Sequence, residues 1–345
     1  MIKITVAKSA LRNLERRHYD YFRTQGPKVV RGAPFITYEQ LLEDTYNSLQ
    51  AGHAWKPLFK ILYDERETIL KGEPDLLEAV VKRIESLPAS VVQDLKNSKH
   101  LLHKLVNKIF NYDSFIGRSP NGWGAYTLTQ ELKVDVCPYC NRQFISTYYS
   151  KGGKTRAALD HFWDKTTHPY LAISFYNLIP SCTVCNSSFK GKKPFSLSDN
   201  IHPYLEGFGQ DVKFKTGLKL NKDKSGKLIV TDARTLMGKN KHFKIELVTC
   251  GTPDFNRRAK ANIKAFKLEE LYELHKDYVC EMLTKAQAYP DSRLKELSSK
   301  PYQRLFPKKE DVKKMVIGNY LEDAELGKRV MAKFMRDLAE EYGML

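Results

Sequence analysis

A chain of 345 residues with 42% hydrophobic content has apolar mass enough for two or three packed units, so extended disorder is not expected. Lysine and arginine number 57 against 40 aspartates and glutamates, an excess of 17 that favours a polyanionic partner but says nothing about fold. The apolar runs are too short and too interrupted by charge to cross a bilayer, and Met1-Ile2-Lys3-Ile4 lacks a secretory pattern, which predicts a cytoplasmic protein without a membrane partner.

In chain order, the first 117 residues read as helices. Ser9 is placed to cap a helix over 10–22, Thr37 precedes a periodic run at 38–49, and 54–70 alternates apolar and charged faces. Pro74 suits the first turn of a helix over 75–87, where its missing N–H costs nothing, and 91–110 continues the pattern. The cluster Gly117-Arg118-Ser119-Pro120-Asn121-Gly122 breaks helicity and is the expected domain boundary. From Val134 short β-like runs follow at 143–149 and 157–162, then a loop and a helix starting near Ser181. Residues 212–249 read as a meander with strands at 212–215, 218–220, 227–231 and 242–249. Helix returns at 253–283 and 322–342, with a break at 301–307. The expected organisation is a helical domain over 1–125, a β-containing domain over 126–250 and a helical region over 251–345. There is no internal repeat.

Four of the six cysteines form two Cys-x-x-Cys pairs, Cys137-Pro138-Tyr139-Cys140 and Cys182-Thr183-Val184-Cys185. Each pair offers two thiolates from a tight turn, and four sulfurs close a tetrahedral shell around zinc with no open position, which predicts a structural zinc. A redox role would need only one pair beside a βαβ pattern. Cys250 and Cys280 read as ordinary core. The 41 residues between the pairs exceed a zinc ribbon's spacing, so the metal closes a long loop that must carry something else.

Within and just after that loop lie Leu159-Asp160-His161-Phe162, Phe175-Tyr176-Asn177-Leu178-Ile179-Pro180 and Cys185-Asn186-Ser187-Ser188-Phe189-Lys190-Gly191-Lys192-Lys193. Neighbours on a strand point to opposite sides, so Asp160 can hold a cation while His161 takes a proton from water. Gly153-Lys154-Thr155 is no phosphate loop, because the required upstream glycine is replaced by Tyr148.

These motifs resemble the HNH, or His-Me finger, endonuclease superfamily, whose ββα-metal site orders Asp-His, Asn and a helix-borne Asn or His. The resemblance implies an α+β fold: a mainly helical protein with an embedded ββα-metal HNH core, stapled by the four-cysteine zinc site and followed by a small β meander. It makes His161 the general base, Asp160 and Asn186 the ligands of a catalytic Mg²⁺ or Mn²⁺, and Asn177 the residue that pins the loop. Lys190, Lys192 and Lys193 fall where basic residues approach the substrate phosphate. With Lys165 and His168-Pro169-Tyr170-Leu171, residues 134–205 are most similar to the PtuB-type HNH effectors of Septu and retron anti-phage defence. That likeness implies nucleic acid as substrate and an ATPase partner subunit of the PtuA type, with retron RNA or DNA in the retron case. The helical regions at either end would then be docking surfaces.

Two rivals stay open. The same site serves an RNase acting on structured RNA or tRNA. A non-catalytic zinc module that binds nucleic acid or protein is the other, and it is favoured if Asp160 and His161 turn into the core. His168 and His202 read as packed loop histidines. Residues 212–260 hold thirteen basic and four acidic side chains. Lys213, Lys215 and Lys219, with Lys239, Lys241 and Lys244, are expected to form a basic apron beside the site; a solvated hairpin is the alternative.

Overall fold

The structure, a computed structural model, describes residues 1–27, 34–119, 121–218, 221–222, 228–229 and 233–345. The protein is mixed α and β, mainly helical, with small antiparallel two-stranded sheets. Among the described residues no helix is long and apolar enough to cross a membrane. The residues pack as two compact units, each built from separated stretches: Ile4–Asp135 with Ile145–Leu205, and Met1–Lys3 with Val136–Phe144 and Glu206–Leu345. Residues on both sides of the Gly117–Gly122 turn belong to the first of these.

In the unit containing Ile4–Asp135, the first helix runs Lys8–Thr24 and starts without a side-chain cap. Ser9 is therefore inside it. Its buried Leu14, His18, Tyr21 and Phe22 recur at helical spacing, and this stripe rather than a cap fixes the helix. Thr37 does cap the next helix, Tyr38–Ser48: its hydroxyl takes the Gln40 N–H at 3.1 Å while Gln40 Oε1 takes the Thr37 N–H at 2.9 Å.

The expected helix at 54–70 is two, Lys56–Asp64 and Arg66–Lys71, because Glu65 leaves helical geometry at ψ 12°. Pro74–Glu85 follows as expected. The run 91–110 divides into Ala89–Lys96 and Leu101–Ile109, the second capped by His100 Nδ1. Short helices at Tyr112–Ile116 and Ala125–Leu132 complete the set. The run expected as a strand at 143–149 forms an isolated antiparallel bridge from Phe144 to Val136 and, at its end, the strand Tyr148–Ser150, paired with Gly153–Thr155.

The other unit centres on a two-stranded ribbon, Val212–Leu218 with Phe243–Thr249, in register from Val212↔Thr249 to Leu218↔Phe243. Phe243, Ile245 and Leu247 alternate inward with Phe214 opposite. Most of the predicted strands at 218–220 and 227–231 lies outside the described residues; what is described pairs Asn221–Lys222 with Leu228–Ile229.

Both outer edges of the ribbon are closed by carboxylates. Phe214 N–H donates to Asp337 at 3.0 Å and Thr216 N–H to Glu341 at 3.1 Å. On the other strand Ile245 N–H donates to Glu273 at 2.5 Å and Leu247 N–H to Glu269 at 3.0 Å. The predicted 253–283 helix breaks at Lys267, which is left-handed at φ +51°, into Pro253–Ala265, Leu268–Tyr272 and, after a 3₁₀ turn, Lys276–Ala288. The break at 301–307 is flanked by helices Asp291–Leu297 and Lys309–Ile317, and the 322–342 run holds a single α-helix, Ala332–Glu341.

Ala332–Glu341 carries a buried charge cluster. Lys333 Nζ lies 2.6 Å from Asp337, both side chains within 1% of full burial, and Arg336 Nε lies 3.4 Å from the same carboxylate. Burial pulls the Lys333 amine below its ordinary value, and Asp337 opposes that. We expect Asp337→Ala to cost about 3–5 kcal/mol, since it strands a buried ammonium and the Phe214 N–H together. Replacing Lys333 by Met alongside Asp337→Leu should restore most of that loss. Chemical denaturation measures both; a single-variant loss under about 1 kcal/mol contradicts the account.

Candidate active site

Ala158–His161 pairs antiparallel with Leu178–Ser181, Asp160 opposite Ile179 and His161 opposite Leu178. The apolar Leu159, Leu178 and Ile179 bury this short pair on both faces, so its polar members are buried with them: Asp160 is 2% exposed and His161 8%. Asp160 Oδ1 meets Lys190 Nζ at 3.2 Å, and the same ammonium donates to the His161 carbonyl. Lys190 ends the wide π-type turn Val184–Lys190, which starts three residues beyond the second strand and brings the lysine back over the first.

Between the strands, Pro169–Leu171 and Phe175–Asn177 are single 3₁₀ turns with little ladder of their own. Buried carbonyls there need donors. Three consecutive ones receive side chains: Leu171 from Asn177 Nδ2 at 2.9 Å, Ala172 from His161 Nε2 at 2.8 Å and Ile173 from His18 Nε2 at 2.5 Å. Asn177 also grips Trp163, taking its N–H at 2.7 Å and donating to its carbonyl at 3.1 Å. A carbonyl only accepts, so the Nε2 of both histidines carries the proton and Nδ1 is the basic nitrogen. On His18 that nitrogen accepts from Trp123 Nε1 at 3.2 Å.

Burial is the main force on the His161 imidazole and pushes it down to about 3; the Ala172 hydrogen bond opposes, and the Lys165 and Lys190 charges push further down. The Tyr112 ring stands edge-on to it at 4.5 Å, with Lys165 Nζ 4.3 Å over the tyrosine. Burial likewise raises the Tyr112 hydroxyl to about 12.

The two cysteine turns share one hydrogen bond, from the N–H four residues on to the first cysteine's carbonyl, and differ otherwise. Cys137 N–H bonds Gln143, Asn141 N–H returns to the Cys137 carbonyl at 2.8 Å with Asn141 left-handed at φ +54°, and Arg142 N–H points at Cys140 Sγ at 3.4 Å. In the second, Asn186 N–H returns to Cys182 at 2.9 Å and Cys185 N–H points at Cys182 Sγ at 3.4 Å. Cys137, Cys140, Cys182 and Cys185 are all buried, with their sulfurs within 4.8 Å of one another. Sulfurs about 2.3 Å from a central zinc stand roughly 3.8 Å apart, so the buried four-cysteine cluster is fit to hold a metal ion and is compatible with structural zinc.

The fold thus gathers Asp160, His161, Asn177 and Lys190 in one buried cluster, with Asn186 half-buried on the turn that delivers Lys190. Lys190 departs from expectation. At 2% exposure it faces Asp160 instead of solvent, because the turn folds it back over the strand; Lys192 and Lys193 beyond it are exposed. The helix expected near Ser181 starts only at Val184, since Ser181 still pairs in the strand. Cys250 is exposed and Cys280 partly so, neither being core.

The lysine apron changes too. Lys213 is bound to Glu340 at 2.6 Å, Lys219 lies outside the described residues, and Lys239, Lys241 and Lys244 are exposed. His18, Tyr112 and Trp163 belong to no motif that marks them as site residues; the one sequence signal among them is the polar His18 on an otherwise apolar helix stripe. Compared with protein-family models, with curated proteins and with solved structures, the chain matches none.

Three buried histidines make this unit acid-sensitive. Burial pushes His18 to about 4 and His161 and His202 to about 3, whereas unfolded histidine titrates near about 6.5. The stability is complete above that unfolded value and drains as the pH falls toward the folded ones. Denaturant melts in a pH series should show unfolding taking up close to three protons near pH 5 from this source. A stability profile flat from pH 6.5 to 4.5 would refute it.

Proposed function

We propose that this chain is a metal-dependent HNH endonuclease that hydrolyses phosphodiester bonds of nucleic acid, serving as the toxic effector of an anti-phage defence system. The observation that carries the reading is the tautomer of His161. Its Nε2–H is committed to Ala172, leaving Nδ1 as a proton acceptor on the residue that follows Asp160, on a strand pair that leads through Cys182 and Cys185 directly to Asn186.

His161 Nδ1 is unprotonated at physiological pH and is the nitrogen available to take the proton of the attacking water, as a weak base while burial holds the imidazole down to about 3. Asn177 keeps the loop from collapsing and, by holding Leu171, fixes the neighbouring carbonyl that orients the imidazole. Asp160 and Asn186 offer a carboxylate and an amide oxygen, a donor set suited to Mg²⁺ or Mn²⁺. Such a cation, when bound, neutralises charge on the scissile phosphate and the leaving oxygen. Lys190 Nζ now holds the Asp160 carboxylate at 3.2 Å, so a divalent cation there would have to displace that ammonium. The four-cysteine cluster would hold a structural zinc, Lys192 and Lys193 would approach phosphate, and a PtuA-type ATPase, with retron RNA or DNA, would be the partner.

One observation favours a second reading: Asp160 and His161 are buried, as in a zinc module that binds without cutting. Incubation of the purified protein with DNA and with total cellular RNA, in Mg²⁺ and in EDTA, separates the readings and the substrates. We expect Mg²⁺-dependent cleavage that His161→Ala and Asp160→Asn each lower by on the order of a hundredfold or more. Cleavage undiminished in both variants, or none by the zinc-loaded wild type with its partner present, sinks the nuclease reading.

Lys190 supplies a test that needs no turnover. Lys190→Met removes the cationic partner of the buried Asp160 carboxylate, so the variant should melt lower than wild type without divalent cation and recover more when Mn²⁺ is added, by mass action on the native state. If Mn²⁺ moves neither protein, Asp160 is not a cation ligand.

A further inference from the structure

The hairpin Tyr148–Ser150 with Gly153–Thr155 pairs with no third strand among the described residues and lies outside the machinery above. An isolated two-stranded hairpin is marginal in water and ordinarily turns its aromatics inward. This one does the opposite: Tyr148 is 61% exposed and Tyr149 49%. Residues 148–156 carry Lys151, Lys154 and Arg156 and no acid.

Pairing puts Tyr149 opposite Lys154, so they share a face, and the alternation adds Arg156 to it. The same face receives Tyr126, whose ring meets Tyr149 edge-on at 6.1 Å and lies under the Arg156 guanidinium at 5.4 Å. The base of the hairpin is tied to the Tyr126 helix by Thr147 Oγ1 to Thr129 Oγ1 at 2.8 Å. The result is a fixed face of two aromatic rings flanked by cations, followed in sequence, four residues beyond Arg156, by Asp160. That separation is at most about 13 Å of extended chain.

We propose that this face binds unpaired nucleotides, single-stranded DNA or RNA, stacking a base on Tyr149 and pairing the flanking phosphates with Lys151, Lys154 and Arg156. A duplex hides its base faces and offers only phosphates, so the exposed rings select strands whose bases are open. The choice of nucleic acid as ligand rests on the nuclease reading. The stacking face gives that reading a substrate class: single-stranded stretches, loops and ends.

The test is fluorescence anisotropy in Mg²⁺-free buffer with labelled dT20, U20 and a 20-base-pair duplex, using full-length protein. Because these side chains are exposed, Tyr149→Ser and Lys151→Gln/Lys154→Gln should keep the wild-type melting temperature. Tyr149→Ser should weaken dT20 or U20 binding roughly tenfold while changing duplex binding less than twofold, and Tyr149→Trp should retain the wild-type affinity. The double lysine variant should flatten the slope of log affinity against log salt by roughly 0.7 for each phosphate that is no longer neutralised. Which of dT20 and U20 binds more tightly assigns DNA or RNA.

Equal loss on single strand and duplex, or no loss for Tyr149→Ser, overturns the proposal, and the latter leaves the face as a protein-docking surface. Parallel cleavage assays keep the two readings apart. Cleavage with unaffected binding defeats only the stacking face, whereas tyrosine-dependent binding without any cleavage defeats only the nuclease.

Discussion

Three adjacent carbonyls, those of Leu171, Ala172 and Ile173, govern the candidate site. The segment that carries them is buried and has little secondary structure; the Leu171 carbonyl also takes the Ser174 N–H at 3.1 Å, while those of Ala172 and Ile173 depend on side-chain donors. The donors come from three places along the chain: His18 on the first helix, His161 on the strand and Asn177 at the return. This requirement sets the chemistry available. It holds His161 in one tautomer with one orientation and makes Asn177 a clasp with three side-chain hydrogen bonds. Loop, base and scaffold are therefore one cooperative object, and a change at His18 would reach His161 through two peptide units.

Buried charge appears twice, with different company. Lys333 and Asp337 sit one turn apart on a single helix, and the carboxylate also accepts a backbone N–H and meets Arg336. That cluster is satisfied within its own unit and reads as architecture. Asp160 and Lys190 meet from a strand and from the end of a π-type turn, thirty residues apart, at a longer distance. The ammonium there stands on the end of a single turn, and Gly191 follows it in the left-handed region at φ +52°, a position where the chain can change direction at little cost. The physical contrast is between a pair locked along one helix and a pair closed across two elements.

What is legible in the sequence is local. The cysteine turns announce themselves through spacing, Thr37 through its place just before a periodic run, and Pro74 through its place in a first turn. The Asp160-His161 strand is legible from its apolar flanks, and its return strand is not. Long-range partnerships leave no mark. Lys190 stands one residue before the Gly191-Lys192-Lys193 run and looks equally solvated, yet its partner is thirty residues upstream. Lys213 looks like one tooth of a basic comb, yet Glu340, 127 residues away, takes it up. Likewise a periodic stretch such as 253–283 reads as one helix because pattern says nothing of the left-handed residue that turns it, Lys267.

The carboxylates along the Val212–Leu218 and Phe243–Thr249 ribbon bear on how the protein behaves in company. A two-stranded ribbon has two rows of unpaired backbone donors, each a template on which a strand from another molecule can grow. Here Asp337 and Glu341 occupy one row and Glu273 and Glu269 the other, so association would have to displace a charged acceptor first. These acids come from helices, which makes the shield conditional on the helices staying docked. Partial unfolding that frays Ala332–Glu341 would expose the Val212–Leu218 edge while its partner strand still held it extended, and at high concentration that intermediate would be the seed of fibrillar aggregates.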